Sequence, residues 1–257
     1  MADENLLVID GLRDVLKLKN GEAAYPVDGV SFTVPRSKTV GLVGESGCGK
    51  SMTARTVMRI LDKGISVAEG HITFDGEDLL ALPEPQMRDI RGNRIAMIFQ
   101  EPMTALNPSI SVGKQVREAI LLHEKVSRAE AKERVIQMFR EVGIPEADRR
   151  YKSYPHQLSG GLRQRICIAM GMICNPDLLI ADEPTTALDV TVEAQILELM
   201  KRLQRESGMS ILIITHNLGV VADICDEVNV MYAGQSVEHA TKAEISNRPL
   251  HPYTIGL

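Results

Sequence analysis

The sequence predicts an α/β protein whose core is a largely parallel sheet covered by helices. Short apolar runs rich in Val and Ile recur along the chain, with helical stretches between them. These runs are Val40–Val43, Ile95–Ile98, Leu178–Ala181, Ile211–Ile214 and Val228–Met231. Continuous apolar strands of this kind are typical of parallel strands that are buried on both faces. The 257 residues are enough for one large domain with a packed core.

The chain before Phe74 follows another pattern and predicts an antiparallel β layer beside the parallel core. Shorter strands are expected here, and two dipeptides between them have the composition of tight turns. The strands centre on Leu6, Leu16, Val30 and Ile72, and the turns are Asn20-Gly21 and Asp75-Gly76. The predicted fold is therefore a parallel α/β core with an N-terminal antiparallel layer.

An inserted helical subdomain is predicted in the middle of the chain, because no strand pattern survives between Pro102 and Pro155. Ser127-Arg-Ala-Glu130 forms a capping box, which marks a helix start. The apolar residues that share one face of this helix are Ala131, Val135, Met138, Phe139 and Val142, and Gly143 and Pro145 end it. We expect a single domain over residues 1–257, with the core at 1–100 and 156–257 and the helical subdomain at 101–155.

Composition and charge argue against several classes of protein. No apolar run is long enough to span a membrane, and the first residues lack the pattern of a secretory signal peptide. The net charge of −5, with no dense basic block, argues against nucleic acid as a partner. Cys48, Cys167, Cys174 and Cys225 form no CxxC pair, which argues against a zinc site and favours reduced thiols.

A phosphate-binding loop is predicted at residues 44–51, where Gly-Glu-Ser-Gly-Cys-Gly-Lys-Ser fits G-x-x-x-x-G-K-[S/T] between a strand and a helix. The loop would turn its backbone N–H groups toward phosphate oxygens, and the helix start adds a positive dipole end. Lys50 would neutralise the β- and γ-phosphates, and Ser51 would coordinate Mg²⁺. The candidate nucleotide contacts are Gly44, Ser46, Gly47, Cys48, Gly49, Lys50, Ser51 and Met52. The loop predicts a P-loop NTPase with a RecA-like core, but kinases, GTPases and motors share it.

Two carboxylates follow the apolar run Leu178–Ala181 directly, at the strand end where an open α/β sheet places its ligands. Adjacent strand residues point to opposite faces, so the two acids can take different roles. Asp182 is the expected Mg²⁺ partner through water, and Glu183 is the expected general base for an attacking water. The alternative of two solvated acids in a turn is disfavoured, because the buried run leads straight into them.

Leu158-Ser-Gly-Gly-Leu-Arg-Gln-Arg165 precedes these acids and resembles the LSGGQ-like signature of the ATP-binding-cassette family. A Ser followed by two glycines at a helix start is itself an anion-binding N-terminus. The resemblance implies a head-to-tail dimer, in which this helix faces the nucleotide held by the other subunit. The residues implied to act in trans are Ser159, Gly160, Gly161 and Gln164.

Three further matches follow in the order that the family has. Gln100 resembles the Q-loop glutamine, which touches Mg²⁺ and the attacking water and links the core to the helical subdomain. Ala187-Leu188-Asp189 resembles the D-loop along the dimer interface, and His216 resembles the H-loop histidine that holds the γ-phosphate. The resemblance thus implies ATP and Mg²⁺ as ligands. It implies Lys50, Gln100, Glu183 and His216 as catalytic residues, and Ser51, Gln100 and Asp182 at the metal.

Three longer strings resemble the dipeptide, oligopeptide and nickel importer branch, and look more peptide-like than nickel-like. They are Ile98–Pro108, Ala181–Val192 and His251-Pro-Tyr-Thr254. The resemblance implies an ATPase that powers peptide import, peripheral at the cytoplasmic face of the cell (inner) membrane. Its implied partners are a second cassette subunit, identical or different, two permease subunits and, indirectly, an extracytoplasmic solute-binding protein. The alternatives are a motor for nickel or another small solute and, less favoured, a cassette ATPase that transports nothing.

The chain also departs from this branch. Family members usually continue past the His251–Thr254 string into an extension with a cysteine cluster, so we expect that extension to be absent or truncated here and no iron–sulfur cluster in this chain. Leu16 and Leu18 stand where the adenine-stacking ring is expected, which leaves Tyr25 as the nearest candidate. The segment between Glu101 and Asn107, including Met103 and Leu106, is expected to form the groove that docks a permease helix.

Overall fold

A computed structural model describes residues 4–19, 21–186 and 188–257, with the side chains of Pro102 and Met103 left out. Its strands are β1 (Asn5–Lys17), β2 (Ala23–Pro35), β3 (Thr39–Val43), β4 (Ile65–Phe74), β5 (Glu77–Asp78), β6 (Ile95–Ile98), β7 (Leu178–Asp182), β8 (Ser210–Thr215), β9 (Glu227–Tyr232) and β10 (Gln235–Thr241). Its helices are α1 (Lys50–Val57), α2 (Glu84–Ile90), α3 (Pro102–Ala105), α4 (Val112–His123), α5 (Arg128–Glu141), α6 (Ala147–Arg150), α7 (Gly160–Met172), α8 (Val190–Ser207), α9 (Leu218–Ile224), α10 (Lys242–Asn247) and α11 (Pro252–Gly256).

The chain forms two compact units. The first unit comprises residues 1–87 and 208–257, and the second comprises residues 88–207. The first unit therefore contains the phosphate loop and the segment around His216, and the second contains Gln100, the two acids and the signature sequence. The predicted division into an α/β core and a helical subdomain at 101–155 stays a prediction.

The first unit contains an antiparallel sheet of strand order β2-β1-β4-β5, which confirms the predicted antiparallel layer. The two strands predicted around Leu6 and Leu16 are one strand, β1, of 13 residues. The register of β1 shifts after Ile9, and Gly11 has φ 57°, so a bulge keeps the apolar side chains on the buried face. The turn predicted at Asp75-Gly76 joins β4 to β5, whereas Asn20 of the other predicted turn lies outside the described residues.

The first unit also contains parallel strands, as predicted. β3 lies between β8 and β9 and pairs with both in parallel, with Val43 opposite Thr215 and Val230. β10 pairs antiparallel with β9 after a turn at Ala233 and Gly234, which have φ 48° and 85°. β10 was not predicted from the sequence. Because β3 and β8 are parallel neighbours, the segments that follow them leave the sheet at the same edge.

The second unit combines a parallel strand pair with helices. β6 pairs with β7, and Ile98 lies opposite Ala181. Helix α5 begins after Ser127, whose hydroxyl accepts a hydrogen bond from the Glu130 N–H at 3.1 Å, and ends before Gly143 at φ 75°. Its predicted apolar face is buried, and it packs against α4 and α7. The predicted start and stop of the helix are thus confirmed, with Ser127 as its N-cap residue.

Burial of the thiols agrees with the expected chemistry of the cysteines. Cys48, Cys167, Cys174 and Cys225 are all unbridged. Burial raises the pKa of Cys167 and of Cys225 to about 12, so both stay protonated at neutral pH. Within the described part of the chain, no helix has the length and apolar character needed to cross a membrane.

Candidate nucleotide site

The phosphate loop joins β3 to α1 and depends on close backbone contacts. A Cβ atom on Gly44 would lie 2.1 Å from the carbonyl oxygen of Met231, and one on Gly49 would lie 2.3 Å from that of Pro26. Gly49 has φ 104° and immediately precedes α1. Only glycine satisfies both the left-handed backbone and the close approach. These two positions are the fixed glycines of the G-x-x-x-x-G-K-[S/T] pattern.

Lys50 is the buried cation of this loop. Lys50 is only 4% exposed. Its Nζ donates hydrogen bonds to the carbonyl oxygens of Gly44 at 2.8 Å and Glu45 at 2.7 Å. A buried ammonium group requires such partners. Gly49 has no side chain that could cap α1, and an uncapped helix start is a common anion-binding site. A buried cation, glycine-dependent backbone and an uncapped helix start fit a phosphate group.

His216 follows β8 in the first unit, as the phosphate loop follows β3. Thr215 lies opposite Val43, so His216 and Gly44 leave the sheet at the same edge. His216 is exposed, while the next residue, Asn217, accepts a hydrogen bond from the Gly219 N–H at 2.8 Å and caps α9. This role of Asn217 was not predicted from the sequence, although Asn is a common N-cap residue.

Gln100 and Glu183 meet in the second unit, where β6 and β7 end side by side. Gln100 Nε2 donates to Glu183 Oε2 at 2.9 Å, and Thr186 Oγ1 donates to the same oxygen at 2.8 Å. Two donors therefore orient a carboxylate that is half-buried. A carboxylate held in this way is oriented in advance for the role of a general base.

The two adjacent acids differ in environment. Asp182 ends β7 and is 3% exposed, whereas Glu183 lies in the turn that follows. Glu183 has φ 44°, and its carbonyl oxygen accepts a hydrogen bond from the Thr186 N–H at 3.2 Å. A non-glycine residue in the left-handed region is uncommon and is often found at functional sites. The tight turn thus directs Glu183 toward Gln100.

The signature sequence forms the start of α7. Ser159 is exposed and is the N-cap residue, and its hydroxyl accepts a hydrogen bond from the Leu162 N–H at 3.4 Å. A Cβ atom on Gly161 would lie 2.9 Å from Val192 Cγ1. Gly161 therefore also permits close packing against α8, a structural reason for glycine at this position beside the implied contact with a nucleotide.

Comparison with known proteins decides the family. A sequence model of the ABC transporter family matches residues 27–186. The chain belongs to the ABC transporter family. It is similar to the dipeptide transport ATP-binding protein DppD of Bacillus subtilis, with 53% identity over 92% of this chain and 71% of that one. It is also similar to the oligopeptide transport ATP-binding protein OppD of the same organism, with 50% identity over 98% of this chain and 70% of that one.

Solved structures support the fold. A dimeric post-hydrolysis structure of the ATP-binding cassette MJ0796, bound to ADP and Pi, aligns with a TM-score of 0.82 at 24% identity, over 92% of this chain and 98% of that one. At this level of identity the similarity concerns the fold alone. The predicted fold class and the predicted family are both confirmed, and the residue roles stay predictions.

Two predicted residues of this ABC transporter chain are buried. Gln164 is 2% exposed and its Nε2 is buried without a hydrogen-bond partner among the described residues, and its contact with a partner's nucleotide stays a prediction. It lies on the buried side of the apolar helix α7, five residues after the cap. Leu106, expected in a docking groove, is 1% exposed and packs internally. The Met103 side chain lies outside the described residues.

Tyr25 and Asp189 of the ABC transporter chain lie at the surface. Tyr25 is 49% exposed, and the guanidinium carbon of Arg13 lies 5.7 Å from its ring centroid. In the D-loop segment, Ala187 lies outside the described residues. Asp189 Oδ1 accepts a hydrogen bond from the Val192 N–H at 3.0 Å. Asp189 therefore caps α8, a role that an acid just before a helix could have indicated.

Proposed function

We propose that this chain is the ATP-hydrolysing subunit of an ABC importer for di- and oligopeptides. ATP hydrolysis is supported by the geometry of the Glu183 carboxylate, which accepts hydrogen bonds from Gln100 Nε2 at 2.9 Å and from Thr186 Oγ1 at 2.8 Å. The peptide part is supported by the relatives, which are named as dipeptide and oligopeptide transport ATP-binding proteins at 53% and 50% identity.

Binding of ATP uses the charge and backbone of the phosphate loop. Lys50 Nζ would exchange its two carbonyl acceptors for phosphate oxygens, which are charged and therefore stronger acceptors. The N–H groups at the start of α1 would add backbone donors to the phosphate oxygens. Ser51, Gln100 and Asp182 are the residues that would hold Mg²⁺, and the bound ion would neutralise charge on the phosphates. Tyr25 stays the candidate for contact with the adenine.

Hydrolysis uses Glu183 as the general base. The oxygen of a water molecule attacks the γ-phosphorus, its proton passes to the Glu183 carboxylate, and the bond from phosphorus to the β,γ-bridging oxygen breaks to release ADP. Gln100 orients the base and the water. His216 donates to an oxygen of the γ-phosphate and stabilises the developing charge. General-base catalysis of this kind contributes about 10²- to 10⁴-fold in rate.

The motor requires a second cassette. Ser159, Gly160 and Gly161 would complete the site of a partner subunit, which is either a second copy of this chain or a different cassette. The solved MJ0796 structure, which is dimeric and bound to ADP and Pi, supports this arrangement. Two permease subunits and an extracytoplasmic solute-binding protein complete the importer, with this chain peripheral at the cytoplasmic face of the cell (inner) membrane.

Reconstitution tests the proposal. The chain would be assembled in proteoliposomes with the permease pair, a second cassette and the binding protein, and uptake of a labelled dipeptide and of nickel would be measured with and without ATP. We expect ATP-dependent peptide uptake with the wild type and with Glu206→Gln, an exposed acid on α8, and none with Glu183→Gln. Uptake of nickel alone would overturn the peptide assignment. Equal peptide uptake with Glu183→Gln would overturn the role of the base.

A further inference from the structure

The phosphate loop forms a hydrogen bond with a residue of the first unit that is distant from it in sequence. Tyr253, in α11, lies 208 residues after Glu45, and its hydroxyl oxygen accepts a hydrogen bond from the Glu45 N–H at 2.8 Å. Neither the family match, which ends at residue 186, nor the phosphate-loop pattern includes Tyr253. Its string, His251-Pro-Tyr-Thr254, marks the importer branch, and the proposed reaction gives it no role.

This contact acts on a single peptide unit of the loop. The Glu45 N–H and the Gly44 carbonyl belong to the same peptide group, and that carbonyl accepts from Lys50 Nζ at 2.8 Å. In a trans peptide, the N–H and the C=O point in opposite directions. Tyr253 and Lys50 therefore hold opposite ends of one peptide plane. The orientation of this plane determines where the Gly44 carbonyl and, with it, the Lys50 ammonium lie.

Tyr253 is itself held firmly. The two carboxylate oxygens of Glu238 in β10 accept hydrogen bonds from the N–H groups of Leu250 at 2.8 Å and His251 at 2.9 Å. His251 Nδ1 accepts from the Tyr253 N–H at 3.2 Å and caps the helix. The Tyr253 ring packs on the ring of Tyr232, with 4.6 Å between centroids. A hydroxyl on such a support costs little entropy when it orders the loop.

Ionisation does not interfere with this contact at neutral pH. Partial burial raises the pKa of Tyr253, so the hydroxyl remains neutral. The oxygen accepts from Glu45 while the hydroxyl proton remains available for a second bond. The contact is therefore a hydrogen bond between a backbone donor and a neutral acceptor.

We propose that Tyr253 is a positioning residue for the phosphate loop, which acts through the Gly44–Glu45 peptide on Lys50 and preorganises the loop for a triphosphate. The inference rests on the proposed function, because it assumes that the loop binds ATP. The segment His251–Gly256 thereby becomes part of the nucleotide-binding machinery. Preorganisation raises affinity because the free loop has fewer conformations to lose on binding.

Removing one oxygen atom tests the proposal. Tyr253→Phe keeps the ring on Tyr232 but leaves the Glu45 N–H without this acceptor. Tyr232→Phe is the matched control, because it removes a hydroxyl from the other ring of the same pair. The readouts are the Kd of the full chain for a fluorescent ATP analogue, the exchange rate of the Glu45 amide proton by NMR, and kcat and KM for ATP in the assembled transporter.

We expect Tyr253→Phe to weaken ATP binding by about 3- to 10-fold, which corresponds to one lost hydrogen bond. The exchange of the Glu45 amide should accelerate, and KM should rise more than kcat falls. Tyr232→Phe should match the wild type. Equal Kd values for Tyr253→Phe and the wild type would overturn the positioning role. If the wild type itself failed to bind ATP, the proposed function would fail instead, so the two failures are distinguishable.

Discussion

Gln100 Nε2 lies 2.9 Å from Glu183 Oε2, although the two residues are 83 positions apart in the chain. The contact arises because β6 and β7 are parallel neighbours, and Gln100 and Glu183 each lie two positions after the paired residues Ile98 and Ala181. Gln100 and Thr186 donate to the same oxygen of Glu183. The carboxylate is therefore oriented before any ligand binds.

Replacement of Glu183 by Gln should abolish turnover while ATP binding is kept. A glutamine oxygen can still accept from Gln100 and Thr186, so the geometry survives, but the amide cannot take a proton. We expect kcat in the assembled transporter to fall by about 100-fold or more, with an unchanged Kd for ATP. Release of phosphate and binding of a fluorescent ATP analogue would be measured side by side. Rapid turnover by this variant would refute the assignment of the base.

Thr186 should matter for the rate through its hydroxyl. Thr186→Ala removes one of the two donors to the base, whereas Thr186→Ser keeps it. We expect kcat to fall about tenfold in the alanine variant, as for loss of a hydrogen bond to a charged group, and to stay near wild type in the serine variant. Steady-state kinetics of both variants check this. Equal kcat values for the two variants would show that Thr186 does not position the base.

Lys50 should govern the affinity for ATP. Lys50→Met removes the charge that meets the phosphates and leaves the carbonyls of Gly44 and Glu45 without this donor. We expect the Kd for ATP to rise by about 10- to 100-fold, the value of a charge-assisted hydrogen bond. Lys114→Met, at an exposed position of α4, is the control. Titration calorimetry measures both, and an unchanged Kd for Lys50→Met would contradict the phosphate site.

Asp14 should make stability depend on pH. Its side chain is fully buried, with Oδ2 at 2.6 Å from Thr56 Oγ1, and burial raises its pKa above the ordinary value of 3.8. The folded state therefore binds this proton more tightly than the unfolded state. The stabilisation is complete below the unfolded-state pKa and is lost as pH rises through the folded-state pKa.

Urea unfolding of the wild type and of Asp14→Asn, from below pH 3.8 upward, measures how the Asp14 carboxyl makes stability depend on pH. We expect the free energy of unfolding of the wild type to fall relative to Asp14→Asn as pH rises, by about 1.4 kcal/mol for each unit by which the pKa is raised. The comparison with Asp14→Asn removes the contribution of the other carboxylates. A difference that does not change with pH would show that Asp14 titrates alike in both states.

The parallel strands and the loops that end them could be predicted from the sequence, because strands buried on both faces are continuous apolar runs. The prediction of two strands near Leu6 and Leu16 was wrong, because both residues lie in the single strand β1. The bulge at Gly11 interrupts the alternation of apolar and polar residues without ending the strand. β10 was missed because its two apolar residues, Val237 and Ala240, form no apolar run.

Site residues were predictable where a motif places them directly after a strand, as for Lys50, Gln100 and Glu183. The burial of Gln164 was not predictable, because proximity to a motif in sequence does not decide which face of a helix a residue occupies. The contact of Tyr253 with Glu45 could not be predicted, since nothing local in either segment specifies a partner 208 residues away. Asn217 and Asp189, which cap α9 and α8, were predictable from cap preferences.

The central claim is that ATP binds between two cassettes, one of which contributes Ser159. Light scattering of Glu183→Gln with Mg-free ATP, alone and with a second cassette, tests it most directly. We predict a species of twice the monomer mass that forms only with ATP, that is lost when Lys50→Met is added, and that is lost with Ser159→Arg in both subunits. A chain that stays monomeric with ATP, alone and with the second cassette, would contradict the shared site.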